Sequence, residues 1–290
     1  MIMQQFLEHI YNDFKFEQDY WCNIPKSQFS NSKYRKYDNK QYSKKYIEQY
    51  YLLKYAPLYF EEYYEIYYRF LNLYKQENIQ ILSIGVGAGL DFFGFTEAIV
   101  YLDKNINIDY VGIDIVDWYY RFDNIKFLQK SLEDFTYDDL NNFAYGQANV
   151  LIFPKSIIEI DAVVIKQFAN LLVKSLENIL FYNRELWFLV SYIKTDDKIS
   201  GLDKFKIIYD ILLENGFKLK YGNINKVQYS INKDLKILYP IDYQNTWMKD
   251  IKNHCDSKCN QLQINRCNLV NQYPMLYKKH IAYGIYHFIR

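Results

Sequence analysis

The chain has 290 residues; half are apolar and 24% are charged, with 35 basic and 34 acidic side chains. This composition excludes a disordered, collagen-like or coiled-coil chain, and the length suits one large domain or two modest ones. Aromatic content is high at 19%, with 32 Tyr and 20 Phe, which we attribute mainly to the codon bias of an AT-rich genome.

The N-terminal sequence, the length of the apolar stretches and the number of cysteines indicate the cellular compartment in which the protein is expected. The N-terminus has no basic segment followed by an apolar run, so no secretory signal peptide is expected. No stretch of about 18 uncharged apolar residues occurs, so no transmembrane helix is expected. Four cysteines are too few for a disulfide framework, which favours a reducing cytoplasm.

Residues 1–75 are predicted to form an N-terminal helical cap. Within them, tyrosines recur at helical spacing at Tyr51, Tyr55, Tyr59, Tyr63 and Tyr67. We interpret this stripe as core packing, with a stacking platform for bases as the alternative. Pro57 predicts either two helices or one kinked helix, because proline lacks an amide hydrogen and clashes with the preceding turn.

Strands and helices alternate over residues 76–230, which predicts a Rossmann-like cofactor-binding domain of the α/β class. Apolar runs predict strands at Ile79–Ile84, Asp109–Ile113, Lys126–Gln129, Ala148–Phe153, Leu186–Ile193, Phe217–Tyr221 and Ile281–Ile289. Helices are predicted at 90–102, 158–176 and 200–215, the last ended by Gly216. The expected fold is a doubly wound, mostly parallel seven-stranded sheet. Residues 231–290 supply a basic, Cys-containing insertion and the final strand.

A glycine-rich loop, residues 85–89 (GVGAG), joins the first of these strands to a helix. Glycine permits positive φ and a close approach of ligand to backbone. Asp114 ends the next strand, where a carboxylate can accept both hydroxyls of a ribose. A pyrophosphate fingerprint needs glycine at Leu90, and no P-loop Lys-Ser/Thr follows. Because Asp91 suits a cationic ligand, these features favour S-adenosylmethionine, which lacks phosphate, over NAD.

Three segments, SIGVGAG, YVGID and KFLQKSLEDF, resemble successive motifs of the class I S-adenosylmethionine-dependent methyltransferases, and ANVLIFPKS resembles their fourth-strand motif. The resemblance covers roughly residues 79–221 and the last strand. It implies that the methionine part and ribose lie against Gly85, Gly87 and Gly89. It also implies cofactor contacts from Asp114 to the ribose hydroxyls, from Ile115 to the adenine face, and from Ser131 and Leu132 to the adenine amino group. The family often has Asp where this chain has Ser131, which weakens the adenine assignment.

No catalytic residue is predicted, because methyl transfer from a sulfonium mainly requires alignment and exclusion of water. The fourth strand is not followed by the acid and Pro-Pro-aromatic element of amino-methylating DNA enzymes. Lys155 or Ser156 could position an acceptor there, although Lys155 is interpreted first as a surface lysine. Asp117 and Trp118 could line the adenosine pocket.

Three cysteines lie close together in the C-terminal insertion, at Cys255, Cys259 and Cys267. With a fourth ligand from elsewhere they could hold a structural zinc ion, which takes four thiolate or imidazole ligands. The alternative is three ordinary thiols.

Charge is uneven along the chain and bears on the methyl acceptor. Lys26–Lys54 carries eight bases against two acids, Lys218–Arg290 carries twelve against four, and Gln76–Phe217 carries twelve against 21. The basic ends could bind RNA or could be solvated surfaces; the near-neutral total slightly favours a small-molecule acceptor over RNA or protein. The alternative function is a catalytically degenerate methyltransferase-fold protein that acts as a binding module.

Overall fold

Helices and strands alternate along most of the chain, as the sequence predicts. The computed structural model describes residues 3–16, 44–123, 125–144, 149–178, 185–194, 198–230, 250, 253 and 280–290. The helices are α1 (Met3–Phe16), α2 (Lys45–Leu73), α3 (Leu90–Tyr101), α4 (Tyr137–Ala144), α5 (Ala162–Asn178) and α6 (Leu202–Glu214). The strands are β1 (Asn78–Ile84), β2 (Asn107–Asp114), β3 (Lys126–Gln129), β4 (Val150–Pro154), β5 (Glu185–Lys194), β6 (Ile199–Ser200), β7 (Lys218–Tyr221), β8 (Gln228–Ser230) and β9 (His280–Ile289). Short 3-10 helices lie at Leu132–Asp134 and Ser156–Ile158.

Seven of these strands follow one another across a single sheet, in the order β3-β2-β1-β4-β5-β9-β7. Neighbours are parallel from β3 to β5, whereas β9 runs antiparallel to both β5 and β7. The predicted mostly parallel, seven-stranded sheet is therefore confirmed. The apolar pattern missed β6 and β8, which pair with β5 and β9, because strands of two and three residues are too short to show a period.

The burial of each strand follows its place in the sheet. All five residues of β4, in the middle, are buried, and so are seven of the ten residues of β5. By contrast, the edge strands β3 and β7 have no buried residue. Central parallel strands are covered on both faces, so they read as continuous apolar runs, which is why the sequence reveals them clearly.

Pro57 left two alternatives, two helices or one kinked helix, and α2 continues through it as one helix of 29 residues. Proline at this position removes one hydrogen bond of the helix. The flanking residues Leu53, Ala56 and Phe60 are buried, and such packing commonly overrides an unfavourable helix propensity.

The chain divides into two compact units. Among the described residues, the first unit contains 3–16, 44–61, 118–121, 250 and 253, and the second contains the rest. In the first unit, the buried Glu48 carboxylate accepts hydrogen bonds from the amides of Tyr119 and Tyr120, at 2.8 and 2.6 Å. The Tyr120 hydroxyl donates to Asp13 at 2.7 Å. The second unit holds the sheet. The domain limits expected after residues 75 and 230 stay predictions.

Candidate functional site

The glycine loop connects β1 to α3 through three residues with positive φ. Gly85, Gly87 and Gly89 have φ of 74°, 55° and 84°, a backbone region that residues other than glycine rarely adopt. The amide of Gly85 donates to the carbonyl of Ile113 at 2.8 Å, and that of Gly89 donates to the carbonyl of Val86 at 2.9 Å. The loop is thereby fixed to the end of β2.

Two of these glycines are also required by their surroundings. A Cβ at Gly85 would lie 2.3 Å from the Cβ of Ser156, and a Cβ at Gly89 would lie 2.3 Å from the Cδ1 of Ile125. Real Cβ atoms essentially never come so close to a neighbour. The loop therefore packs directly on the residues that follow β4 and on those that precede β3.

Asp114 ends β2 and joins the glycine loop. Its Oδ2 accepts a hydrogen bond from the amide of Gly87 at 2.8 Å, and its Oδ1 accepts one from the amide of Val116 at 2.9 Å. The side chain is half-buried. The acid and the loop, singled out separately in the sequence, therefore form one hydrogen-bonded unit. Ile115 is 43% exposed, which leaves an apolar surface beside this carboxylate.

The ends of β2 and β3 lie side by side, because Asp114 pairs with Gln129 in the parallel register. The amide of Lys130 donates to the carbonyl of Asp114 at 2.9 Å. Ser131 comes next, and its hydroxyl caps the short helix by accepting from the amide of Glu133 at 3.2 Å. Leu132 is buried in the core, so its side chain packs inward while its backbone remains at this edge.

Lys155 and Ser156 follow β4, and the interpretation of Lys155 as a surface lysine is wrong. Its side chain is only 10% exposed, and its Nζ lies 2.7 Å from the Oε1 of Glu62. It also donates to the carbonyl of Tyr192 at 3.1 Å. Sequence reasoning missed Glu62, which lies 93 residues away in a tyrosine-rich helix and carries no local signal.

Asp91 does not present its charge to solvent beside the loop. The residue is fully buried, and its Oδ2 accepts hydrogen bonds from the hydroxyls of Tyr110 and Ser83 at 2.6 and 3.0 Å. Burial raises the pKa of this carboxyl to about 6, and the two hydroxyls partly offset that effect. The Asp91 carboxyl group therefore does not attract a cationic ligand in the way that an exposed carboxylate would.

The tyrosine stripe of α2 changes character along the helix. Tyr63 and Tyr67 are buried, which agrees with core packing. Tyr51 and Tyr55 are half-buried, with ring centroids 5.2 Å apart. Trp118, expected to line the adenosine pocket, belongs to the same compact unit as Tyr51, and their ring centroids are 5.6 Å apart.

Cys255, Cys259 and Cys267 lie outside the described residues, so the zinc expectation stays a prediction. Among the residues that are described, no group of three or more His, Cys, Asp or Glu side chains could hold a metal ion. Within the same part of the chain, no helix is both long and apolar enough to cross a membrane.

The strand order decides the fold. A dinucleotide-binding Rossmann sheet is mostly parallel and has the strand order 3-2-1-4-5-6, whereas here the antiparallel β9 lies between β5 and β7. The chain has the class I methyltransferase fold. No family model matches the methyltransferase-fold chain, and no curated protein matches it either.

Solved structures similar to this methyltransferase-fold chain are distant from it in sequence. One is magnesium protoporphyrin IX methyltransferase from Synechocystis PCC 6803, with 11% identity, 96% of this chain and 97% of that chain covered, and a TM-score of 0.39. Another is a SAM-dependent methyltransferase from Archaeoglobus fulgidus, with 14% identity, coverage of 79% and 94%, and a TM-score of 0.37. At such TM-scores the fold assignment rests on the strand order of the chain itself.

Proposed function

We propose that the protein is an S-adenosylmethionine-dependent methyltransferase. The observation that carries this proposal is the hydrogen bond from the Gly87 amide to the Asp114 carboxylate. It joins the glycine loop to the acid that we propose to bind the ribose hydroxyls. Gly87 follows β1 and Asp114 ends β2, so both lie at the carboxyl edge of the sheet. The strand order reverses between β1 and β4, and ligands of open α/β sheets bind at such a reversal.

The residues at this edge fit the cofactor. A carboxylate has about four acceptor sites, so Asp114 can bond both the backbone and a ribose. The exposed face of Ile115 suits the flat, apolar face of adenine. Leu90 occupies the position where a pyrophosphate-binding loop has glycine, which argues against NAD.

The chain's contribution to the reaction would be chiefly geometric. S-adenosylmethionine, when bound, supplies a methyl group attached to a positively charged sulfur. Gly85, Gly87 and Gly89 hold the loop that we propose to bind its methionine part and ribose. Since the methyl group passes in line to a nucleophile, fixing the cofactor and keeping water out account for most of the rate that the protein must supply.

We further propose a small molecule as the acceptor. The total formal charge is +1, whereas proteins that bind RNA through phosphates usually carry a marked basic excess. Residues 76–217, which include the loop and Asp114, have twelve bases against 21 acids. This acidic sequence disfavours a polyanion near the proposed cofactor.

Ligand-dependent melting tests the cofactor class. S-adenosylhomocysteine at about a hundred times its Kd should raise the Tm by about 5–10 °C, because it binds only the folded chain. NADH at equal concentration should leave the Tm unchanged. A shift with NADH and none with S-adenosylhomocysteine would overturn the proposal.

The acceptor class is tested with radiolabelled S-adenosylmethionine in cell extract. A small-molecule acceptor predicts a label that passes a size filter and resists both RNase and protease. Label that RNase removes would identify RNA, and label that protease removes would identify protein. Either result would contradict the proposed acceptor while supporting the methyltransferase activity.

A further inference from the structure

The turn after β4 has a strained backbone. Lys155 adopts φ of 61° and ψ of −1°, and Asp103 is the other non-glycine residue with positive φ among those described. For a residue other than glycine this left-handed conformation is unfavourable, because the Cβ comes close to the following carbonyl oxygen. Such strain persists only where the surroundings impose it, and it is concentrated at functional sites.

A nearly buried ion pair holds the side chain of Lys155. The Lys155 and Glu62 side chains are 10% and 1% exposed, with Nζ and Oε1 2.7 Å apart. The hydroxyl of Ser191 donates to the same Oε1. Because little solvent reaches the pair, its attraction is weakly screened, and loss of one partner would leave the other charge buried.

The same turn supports the glycine loop. Ser156, next to Lys155, is buried, and its hydroxyl donates to the carbonyl of Ile84 at the end of β1. Its Cβ occupies the space that a side chain at Gly85 would need. A shift of the turn would therefore move the first glycine of the loop.

We propose that Lys155 is a positioning residue for the cofactor. Its ion pair with Glu62 holds the turn that supports Gly85, and thereby sets the affinity for the amino-acid end of S-adenosylmethionine. This assignment rests on the proposed function. It assigns Lys155 no contact with the reacting atoms, because its ammonium is directed to Glu62 and the Tyr192 carbonyl.

The test measures by calorimetry how tightly S-adenosylhomocysteine and adenosine bind to wild type and to two variants, K155N and K155R. K155N keeps a residue that tolerates the left-handed conformation but is too short to reach Glu62. S-adenosylhomocysteine should bind K155N about tenfold more weakly, as expected if the displaced loop loses one hydrogen bond to the charged amino-acid end of the ligand, whereas adenosine should change less than about twofold. K155R, which keeps the charge, should bind S-adenosylhomocysteine within about threefold of wild type. Equal losses for both ligands would indicate general damage and overturn the assignment.

Two glutamates on α2 provide a matched control. E62Q should reproduce the selective loss of affinity expected for K155N. The double variant K155N/E62Q should bind no more weakly than either single variant, because both substitutions break the same ion pair. Glu65 is also buried, and is paired with Arg69; E65Q should bind both ligands as wild type does. A selective loss in E65Q as large as that in E62Q would contradict the assignment.

Wild-type binding separates this assignment from the proposed function. Wild type that binds neither ligand would overturn the methyltransferase proposal and the assignment together. Wild type that binds S-adenosylhomocysteine with an affinity unchanged by K155N and E62Q would overturn the assignment alone. Circular dichroism and Tm of each variant establish that the compared proteins are folded.

Discussion

The Asp114 carboxylate accepts a hydrogen bond from the amide of Gly87 at 2.8 Å. Its other oxygen accepts one from the amide of Val116 at 2.9 Å. One side chain thereby fixes both the middle of the glycine loop and the chain that leaves β2. A substitution at Asp114 must consequently change the loop as well as any ligand bound there.

We predict that D114A weakens binding of S-adenosylhomocysteine by roughly 1.5–3 kcal/mol, the scale for losing hydrogen bonds to a charged group. It should also lower the Tm, because the Gly87 amide loses its acceptor. D114N retains one carbonyl oxygen and should lose less affinity than D114A. Calorimetric titration and thermal melting measure the two effects.

Asp210 provides the control for these substitutions. It is exposed and lies on α6, outside the glycine loop and the end of β2, so D210N removes the same charge from a different place. D210N should leave the affinity unchanged within about twofold, as is usual for an exposed charge. An unchanged affinity in D114A would mean that the ribose is held elsewhere.

We predict that G85A destabilises the fold by roughly 2–4 kcal/mol, since it adds a strained positive φ to a clash with Ser156. S156G alone should also destabilise the fold, because the Ser156 hydroxyl donates to the Ile84 carbonyl. The double variant G85A/S156G removes the clash, so it should lose less stability than the two single variants lose together. Gly216 has a similar φ of +84° and nothing within 4 Å of the position of a Cβ, so G216A should cost only the strain. Urea unfolding of these variants and of wild type measures the differences. Strictly additive losses in the double variant would contradict the packing explanation.

The glycine loop and Asp114 could be predicted because their signals are local. A buried strand that runs into glycines, and an acid that ends the next strand, are visible in segments of a few residues. Once parallel strands are inferred, their carboxyl ends must meet at one edge of the sheet. The contact between Asp114 and Gly87 follows in outline, although its geometry does not.

The pair of Lys155 and Glu62 could not be predicted in this way. The two residues are 93 positions apart, and neither sequence context indicates a buried charge. A lysine at the end of a strand is normally a surface residue. For Pro57 the local rule left two outcomes open, and the burial of Leu53, Ala56 and Phe60 on both sides of the proline explains why the helix continues.

We predict that I115A lowers the affinity for adenosine about fivefold. The Ile115 side chain is 43% exposed, and covering its outer carbons with adenine should contribute about 1 kcal/mol. Ile108 lies near the other end of β2, the strand that Ile115 follows, and is 38% exposed. I108A should leave adenosine binding unchanged, as measured by calorimetry. Equal effects of the two substitutions would contradict an adenine contact at Ile115.

The last prediction concerns Asp91, whose burial raises its pKa from 3.8 to about 6. Between these pH values the folded chain holds a proton that the unfolded chain releases. The free energy of unfolding therefore falls as the pH rises through this window. D91N carries no ionisable group at this position and lacks that contribution.

Urea unfolding of wild type and D91N at several pH values from 4 to 7 isolates the effect, since other carboxyl groups titrate alike in both proteins. Wild type should lose on the order of 3 kcal/mol relative to D91N across the range, for a shift of about two pH units at a fully buried group. The loss should be concentrated between pH 4 and 6. A constant difference would show that the Asp91 carboxyl has the same pKa in the folded and unfolded chains, so that the hydroxyls of Tyr110 and Ser83 compensate fully for its burial.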